Sequence, residues 1–321
     1  MNGLDDVVRL VRAGRRFLVT GHANPDGDAL GSMLATLHGL RALGKEVVAY
    51  DHDPAPRRLA FLPGARELVS DAAALGGPFD ATFVHDCGDK HLLGDRFPAR
   101  PVTGPLVVLD HHASGNDFGE LSLRDTSAAA VGVIVARLLE ALGVPLDATI
   151  AECLWSSLAS DTGWFRYSST DAETMRLAAA CVEAGAVPWD FARRSEETQP
   201  PARLKLMARV FDTLELHGAV ALLILEQATL LATGTTTAEA EGLVSYARAL
   251  DGVEVGVMLY EQDGGVRVSL RSKGAVDVGA VAASLGGGGH RAAAGCFVRG
   301  TLAEVRARVL ASLGATAEAT R

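Results

Sequence analysis

Short, largely apolar runs alternate with helical stretches through the first half of the chain, and this alternation restricts the fold more than any other feature. Phe17–Thr20, Val47–Tyr50, Ala81–His85 and Leu106–Leu109 have the length and β-branched content of strands buried in a parallel sheet. Helical patterns lie between and after them: Leu30–Leu43 stopped by Gly44, and Ala128–Leu142 stopped by Gly143. Each glycine suits the left-handed turn that closes a helix. A further helix over Asp171–Ala184 is predicted to open with a capping box, Thr170 to Glu173, and to stop at Gly185. Strand–helix alternation predicts an α/β fold with a doubly wound, mostly parallel sheet. In such sheets ligands bind at the carboxyl ends of the strands.

The pattern breaks around Pro188–Pro201, where Arg193-Arg194-Ser195-Glu196-Glu197-Thr198-Gln199 leads into two prolines. A charge run ending in Pro-Pro predicts a linker or linker helix. The expected division is a first domain over 1–188, a linker over 189–215 and a smaller α/β domain over 216–321, with a cleft between the two domains. In the second domain Val220–Leu225 reads as a strand, Ala238–Leu250 as a helix and Val253–Tyr260 as a strand. Asp263-Gly264-Gly265 is a turn into Val266–Leu270, which makes the last two strands a hairpin.

A length of 321 residues has room for two domains. The formal charge of −9 argues against coating long duplexes, which needs phosphate neutralisation by Lys and Arg. It leaves open a small phosphorylated ligand held by local cations. The start, Met-Asn-Gly-Leu-Asp-Asp, lacks the basic and apolar regions of a secretory signal. The longest uncharged runs, such as Thr126–Ala136 and Val278–Gly289, fall short of the ~20 residues that span a bilayer. A cytoplasmic protein without membrane attachment is expected. Cys87, Cys153, Cys181 and Cys296 are far apart and form no Cys-x-x-Cys pair, so they read as reduced, mostly buried thiols.

The chemistry lies where the acids and histidines fall. Gly21-His22-Ala23-Asn24-Pro25-Asp26-Gly27-Asp28 follows the first strand, His85-Asp86-Cys87-Gly88-Asp89 closes the third, and Asp110-His111-His112-Ala113-Ser114 follows the fourth. A later helix ends in Ser160-Asp161-Thr162-Gly163. Taken singly, each has a plain reading: Asp28 could cap the next helix, Asp before Gly is turn chemistry, and a histidine beside a strand is often a satisfied core residue. Their coincidence at strand and helix ends favours a site for Mn²⁺ or Mg²⁺, with carboxylate oxygens dominant and imidazole added.

These segments, in their order and placement, resemble the four motifs of the DHH phosphoesterase superfamily, named for Asp110-His111-His112. Arg271-Ser272-Lys273, Gly286-Gly287-Gly288-Gly289-His290-Arg291 and Thr235–Leu243 resemble its substrate-binding DHHA1 domain. Within the superfamily the likeness is to the nanoRNase/pAp phosphatase group, which degrades very short RNA and removes the 3′-phosphate from 3′-phosphoadenosine 5′-phosphate (pAp). RecJ exonucleases carry extra domains, family II pyrophosphatases lack the Gly-Gly-Gly-Gly-His signature, and membrane-bound cyclic-di-AMP phosphodiesterases carry transmembrane segments.

The resemblance implies two Mn²⁺ ions, with Mg²⁺ or Co²⁺ as substitutes. One would be held by His22, Asp26 and Asp86, the other by Asp28, Asp86, His111 and Asp161, with Asp86 bridging. Two adjacent cations need a shared anion, and paired metals activate a water for in-line attack on phosphorus. Asp110 would orient an imidazole, and His112 would contact the scissile phosphate or the leaving oxygen. Arg267, Arg271, Lys273, Arg291 and Arg299 give an acidic protein a locally basic segment. Arg271, Ser272, Gly288, Gly289 and His290 are the expected substrate-binding residues, the glycines letting the backbone approach a nucleotide. Arg267 and Arg299 read as solvated. Gly163-Trp164-Phe165-Arg166-Tyr167 could stack a base, but core packing is an equal reading for Trp164 and Tyr167, and both are left out of the expected site.

The expected function is Mn²⁺-dependent hydrolysis of short single-stranded oligonucleotides to 5′-mononucleotides, and of pAp to AMP. Alternatives are a cyclic-di-AMP or pApA phosphodiesterase of the same superfamily, and a non-catalytic nucleotide-binding module. The Ala128–Leu142 helix could pair subunits in a homodimer or be covered by the sheet.

Overall fold

The computed structural model describes residues 3–113 and 115–314; Ser114 of the Asp110–Ser114 segment lies outside them. The chain divides into two compact units between Thr198 and Gln199. In the first, α1 (Leu4–Ala13), β1 (Arg16–Thr20), α2 (Gly27–Ala42), β2 (Glu46–Ala49) and β3 (Ala81–His85) come in order. They are followed by α3 (Arg100–Thr103), β4 (Leu106–Asp110) and β5 (Leu121–Arg124). Four helices complete the unit: α4 (Val131–Leu142), α5 (Ala148–Asp161), α6 (Ala172–Glu183) and α7 (Pro188–Ser195). The strands are all parallel, in the order β2-β1-β3-β4-β5. The predicted α/β sheet is therefore present. Strand order reverses between β1 and β3, which opens a crevice at their carboxyl ends.

Helix α2 is buried from Gly27 to Leu40 except at His38, as an apolar helix must be when sheet and helices surround it. Gly31 explains how closely α5 approaches it. A Cβ there would lie 2.5 Å from the Cys153 carbonyl oxygen and 2.8 Å from the Ser157 nitrogen. Helix α4 places Val131, Ile134, Val135 and Leu138 in the same core. The apolar face weighed as a subunit contact is thus covered within this unit.

Local expectations needed several corrections. Strand β5 was not foreseen, because Leu-Ser-Leu-Arg is short and only partly buried. Helix α4 starts at Val131, since Ala130 is extended at φ −160°. Helix α6 has no Thr170–Glu173 capping box: Asp171 is the N-cap, its carboxylate accepting from Thr174 N at 2.8 Å. Glu173 pairs with Arg137 instead.

In the second unit, α8 (Pro201–Phe211), β6 (Glu215–His217), β7 (Val220–Leu225), α9 (Gln227–Thr233) and α10 (Val244–Arg248) come first. Then follow β8 (Val255–Gln262), β9 (Gly265–Ser272), α11 (Val278–Ser284), β10 (Gly288–Gly289), β11 (Ala293–Arg299) and α12 (Leu302–Ser312). Residues 189–215 are largely occupied by α7 and α8. The six-stranded sheet runs β10-β11-β9-β8-β7-β6 and is antiparallel except between β7 and β8. Strands β8 and β9 form the predicted hairpin. Both sheet faces are covered: Leu222, Val257 and Val268 pack with Val278 and Val305, while Leu223, Met258 and Tyr260 pack with Leu206 and Val244. The helix expected over Ala238–Leu250 is instead a 3₁₀ turn, Thr237–Ala240, followed by α10. Gly242 separates them at φ +83°. All four cysteines are buried thiols. Among the described residues no helix is long and apolar enough to cross a membrane.

Candidate metal centre

The carboxyl ends of β1, β3 and β4 converge with the N-terminus of α2 and the C-terminus of α5. His22 follows β1. Asp26 is the N-cap of α2, its carboxylate accepting from Asp28 N at 2.9 Å and Ala29 N at 3.1 Å. Capping therefore belongs to Asp26, and Asp28 is left in the buried first turn. Asp86 leaves β3 in the left-handed region at φ +53°, strain of a kind that persists where surroundings over-determine the backbone. Asp161 is the last residue of α5.

Among the described residues, potential ligand atoms lie within 4.8 Å of one another in three groups: His22–Asp26–Asp86, Asp28–His111–Asp161 and Asp86–His111–His112. His22 Nε2 is 3.7 Å from Asp86 Oδ2 and 4.0 Å from Asp26 Oδ1. His111 Nε2 is 3.1 Å from Asp161 Oδ2, 3.6 Å from Asp86 Oδ1 and 3.8 Å from Asp28 Oδ2. The two oxygens of Asp86 thus face different histidines. All six residues expected as ligands meet here.

Tautomers follow from partners that can only accept. His22 Nδ1–H donates to Ala23 O at 3.0 Å, and His111 Nδ1–H donates to Ala128 O at 2.9 Å. Each pinned Nδ1–H turns Nε2 toward the carboxylates, as in histidines that bind metals. Burial disfavours the charged His22. The hydrogen bond to Asp86 and the charges of Asp26 and Asp86 overcome it, raising the pKa to about 10. Burial likewise opposes charging His111, but the Asp161 hydrogen bond and the Asp28, Asp161 and Asp86 charges raise it to about 11. Asp28 is pushed up by its complete burial and by Asp86 and Asp161. Asp86 Oδ1 is buried without a hydrogen-bond partner. An orphaned buried carboxylate oxygen among four aspartates, with imidazole nitrogens aimed inward, fits a divalent cation.

His112 is set apart by its own bond. Its Nδ1–H donates to Asp110 Oδ1 at 2.7 Å, so that nitrogen is not available as a ligand although it lies 3.4 Å from Asp86 Oδ1. Burial opposes ionisation of Asp110, yet the hydrogen bond and charge of His112 and the charge of Arg124 hold its carboxyl below the usual range. Burial opposes the His112 cation, and Asp110 and Asp86 more than compensate, raising its pKa. His85, between Thr20 O at 3.0 Å and Thr36 Oγ1 at 2.8 Å, is pushed down to about 4 by burial. It is a neutral core residue.

Sequence reasoning missed the groups that brace these ligands. Ser157 Oγ donates to Asp28 Oδ1 at 2.6 Å and accepts from Gly132 N at 2.9 Å, while Val131 N donates to Asp28 Oδ2 at 2.9 Å. Two serines in the apolar run Leu154-Trp155-Ser156-Ser157-Leu158 were the available signal. Trp164, partly buried, packs on Phe191 and Phe165 on Trp155, whereas Tyr167 is exposed and does not join the core.

In the second unit Arg271 is half-buried on β9, with Nη1 donating to Leu270 O at 3.0 Å. Ser272 is buried, its hydroxyl donating to Glu254 Oε1 and accepting from Gly274 N, both at 2.9 Å. Gly288 and Gly289 are exposed and pair with Gly295 and Ala294. A Cβ on Gly289 would lie 2.6 Å from Ala293 O, so close strand approach requires glycine there. His290 is exposed at the turn, where its N–H donates to Ala293 O at 2.7 Å.

Residues 16–158 match the N-terminal domain of the DHH family and residues 220–318 match the DHHA1 domain. The chain is 35% identical to the bifunctional oligoribonuclease and PAP phosphatase NrnA of Thermus thermophilus, over 88% of its own length and 84% of that protein's. The chain belongs to the DHH family of metal-dependent phosphoesterases. Another DHH relative, the bifunctional oligoribonuclease and PAP phosphatase NrnA of Bacillus subtilis, is 28% identical over 91% of this chain and 92% of its own. The crystal structure of an exopolyphosphatase-related protein from Bacteroides fragilis superposes with a TM-score of 0.89 at 23% identity, covering 97% of this chain and 95% of that one. At that identity the likeness speaks for the fold alone.

Proposed function

We propose that this DHH protein is a Mn²⁺-dependent phosphoesterase that hydrolyses short single-stranded oligonucleotides to 5′-mononucleotides and removes the 3′-phosphate of pAp. The carrying observation is a cluster of carboxylates and imidazoles at the strand-order reversal, in which the two Asp86 oxygens face different histidines. The names of the Thermus thermophilus and Bacillus subtilis relatives support the choice of substrates. His22, Asp26 and Asp86 would hold one divalent ion, and Asp28, Asp86, His111 and Asp161 a second. Bound ions of this kind supply Lewis acidity at phosphoryl oxygens and a nucleophile at neutral pH.

The chain's own residues do the rest. Asp110 accepts the His112 Nδ1–H and thereby orients the ring. With Nδ1–H held by Asp110, Nε2 is the nitrogen that can carry a proton to the leaving oxygen as the P–O bond breaks. Arg271 and His290 bind substrate phosphate, with Gly288 and Gly289 beside them, and Ser272 fixes the backbone next to Arg271.

The test is product release with and without Mn²⁺ from pAp, a 5′-labelled dinucleotide, a 24-mer RNA, cyclic-di-AMP and pyrophosphate. Mn²⁺-dependent turnover of pAp and the dinucleotide, abolished in Asp86→Ala, is expected. Turnover confined to cyclic-di-AMP or pyrophosphate would overturn the substrate assignment and leave the metal chemistry standing. No turnover with any divalent ion would overturn both.

A further inference from the structure

We propose that Arg124 is a positioning residue for His112, acting through Asp110. The inference rests on the role of His112 in the phosphoester hydrolysis proposed above. Parallel pairing of β4 with β5 sets Asp110 opposite Arg124, and Asp125 N donates to the Asp110 carbonyl at 3.0 Å. Register therefore delivers a guanidinium to the rear of a carboxylate that is 0% exposed. Arg124 Nε lies 3.2 Å from Asp110 Oδ2. The other oxygen, Oδ1, accepts from His112 Nδ1 at 2.7 Å and from His112 N at 3.3 Å. Arg124, Asp110 and His112 thus form a line from β5 to the metal centre.

The quality of the contacts shows what Arg124 supplies. Its Nε and Nη2, and Asp110 Oδ2, are buried without a well-aligned hydrogen bond. Its outer nitrogen Nη1 lies 3.6 Å from Asp117, an exposed side chain whose pairing is screened by water. Burying a cation in this way is costly unless a nearby anion compensates, and Asp110 is that anion. With the cation behind it, Asp110 stays an acceptor toward His112, so Nδ1 keeps its hydrogen and Nε2 keeps its direction. Without the cation, the buried carboxylate can turn, and the ring loses its orienting partner. In metal and catalytic sites, partners that hold a histidine in this way affect activity by roughly 10–100-fold.

The test uses the full chain with Arg124→Met and Arg124→Lys. Turnover of pAp and the dinucleotide is measured with Mn²⁺, and metal affinity by calorimetry. The Nδ1–H resonance of His112 is followed in ¹⁵N-histidine-labelled, Mg²⁺-loaded protein and assigned with His112→Gln. Expected for Arg124→Met is a kcat lower by roughly 10–100-fold, KM and metal affinity within about 2-fold, and loss of the downfield Nδ1–H signal. Arg124→Lys is expected to retain the signal and recover part of kcat. Wild-type kcat with an intact signal in Arg124→Met would overturn the proposal. Equal loss in both variants with weakened metal binding would also overturn it, because the residue would then serve only the scaffold. If Arg124→Met does not fold, Arg124→Lys decides by keeping or losing the signal. If the wild type turns over no phosphoester, the functional reading fails, and the signal still decides whether Arg124 positions His112.

Discussion

Loading the candidate metal centre should expel one proton each from His22 and His111. In the metal-free fold His22 Nε2 and His111 Nε2 face carboxylates at 3.1–4.0 Å, and their pKa values stand at about 10 and about 11. A cation takes the same two lone pairs, so each proton must leave before the nitrogen can ligate. Both pKa values are raised, so both rings are protonated throughout roughly pH 7–9 without metal, and both are neutral with it. Each displaced proton is worth about 1.4 kcal/mol per pH unit, so two raise the apparent affinity by about 100-fold between pH 7 and pH 8. The same shifts set the sign for the metal-free fold. The stability these pairs contribute is complete below about pH 6.5, the ordinary imidazole value, and disappears as pH rises through about 10. The assay is calorimetric titration with MnCl₂ in buffers of different ionisation enthalpy, which counts protons directly. A count near zero, with affinity independent of pH, would refute the reasoning: the imidazoles would then be neutral before the cation arrives.

Two further outcomes follow from the packing. Ser157→Ala strands the Gly132 N–H and removes one buried donor to Asp28; the expected cost is about 1–3 kcal/mol in denaturant unfolding, with metal affinity weakened roughly 10–100-fold. Unchanged values for both would show that Ser157 does not brace the ligand. Gly31→Ala drives a Cβ to 2.5 Å from the Cys153 carbonyl oxygen and should cost about 1–3 kcal/mol by overpacking. A melting temperature equal to the wild type would mean that α2 and α5 separate freely.

Much of this protein was legible because its informative residues are local. The four strands read from apolar runs formed within about a residue of their expected ends. Each candidate ligand belongs to a short segment immediately beyond a strand or at a helix end, so finding the element found the segment that holds it. In the first sheet strand β5 was the exception, and with it the proposed role of Arg124 stayed hidden. Leu121–Arg124 carries no run of apolar residues, and nothing in an isolated arginine says that a carboxylate fourteen positions earlier will lie beneath it.

By itself, the sequence determined the alternation of strands and helices and the strand-end segments that carry the acids and histidines, because periodicity and strand-end placement are properties of neighbouring positions; the resemblance to the DHH motifs singled out the six that meet at the candidate metal centre. Tertiary structure decided the strand order β2-β1-β3-β4-β5, the choice of Asp26 as cap and Asp28 as buried carboxylate, and the partners that hold each ligand. Ser157 and Asp28 are 129 positions apart, and they meet because Gly31 lets the backbones of α2 and α5 nearly touch while Gly132 leaves room for the Ser157 side chain. A sequence marks which polar groups will be buried. Which donor satisfies which acceptor depends on close packing between distant elements, and that is settled only when the chain has folded.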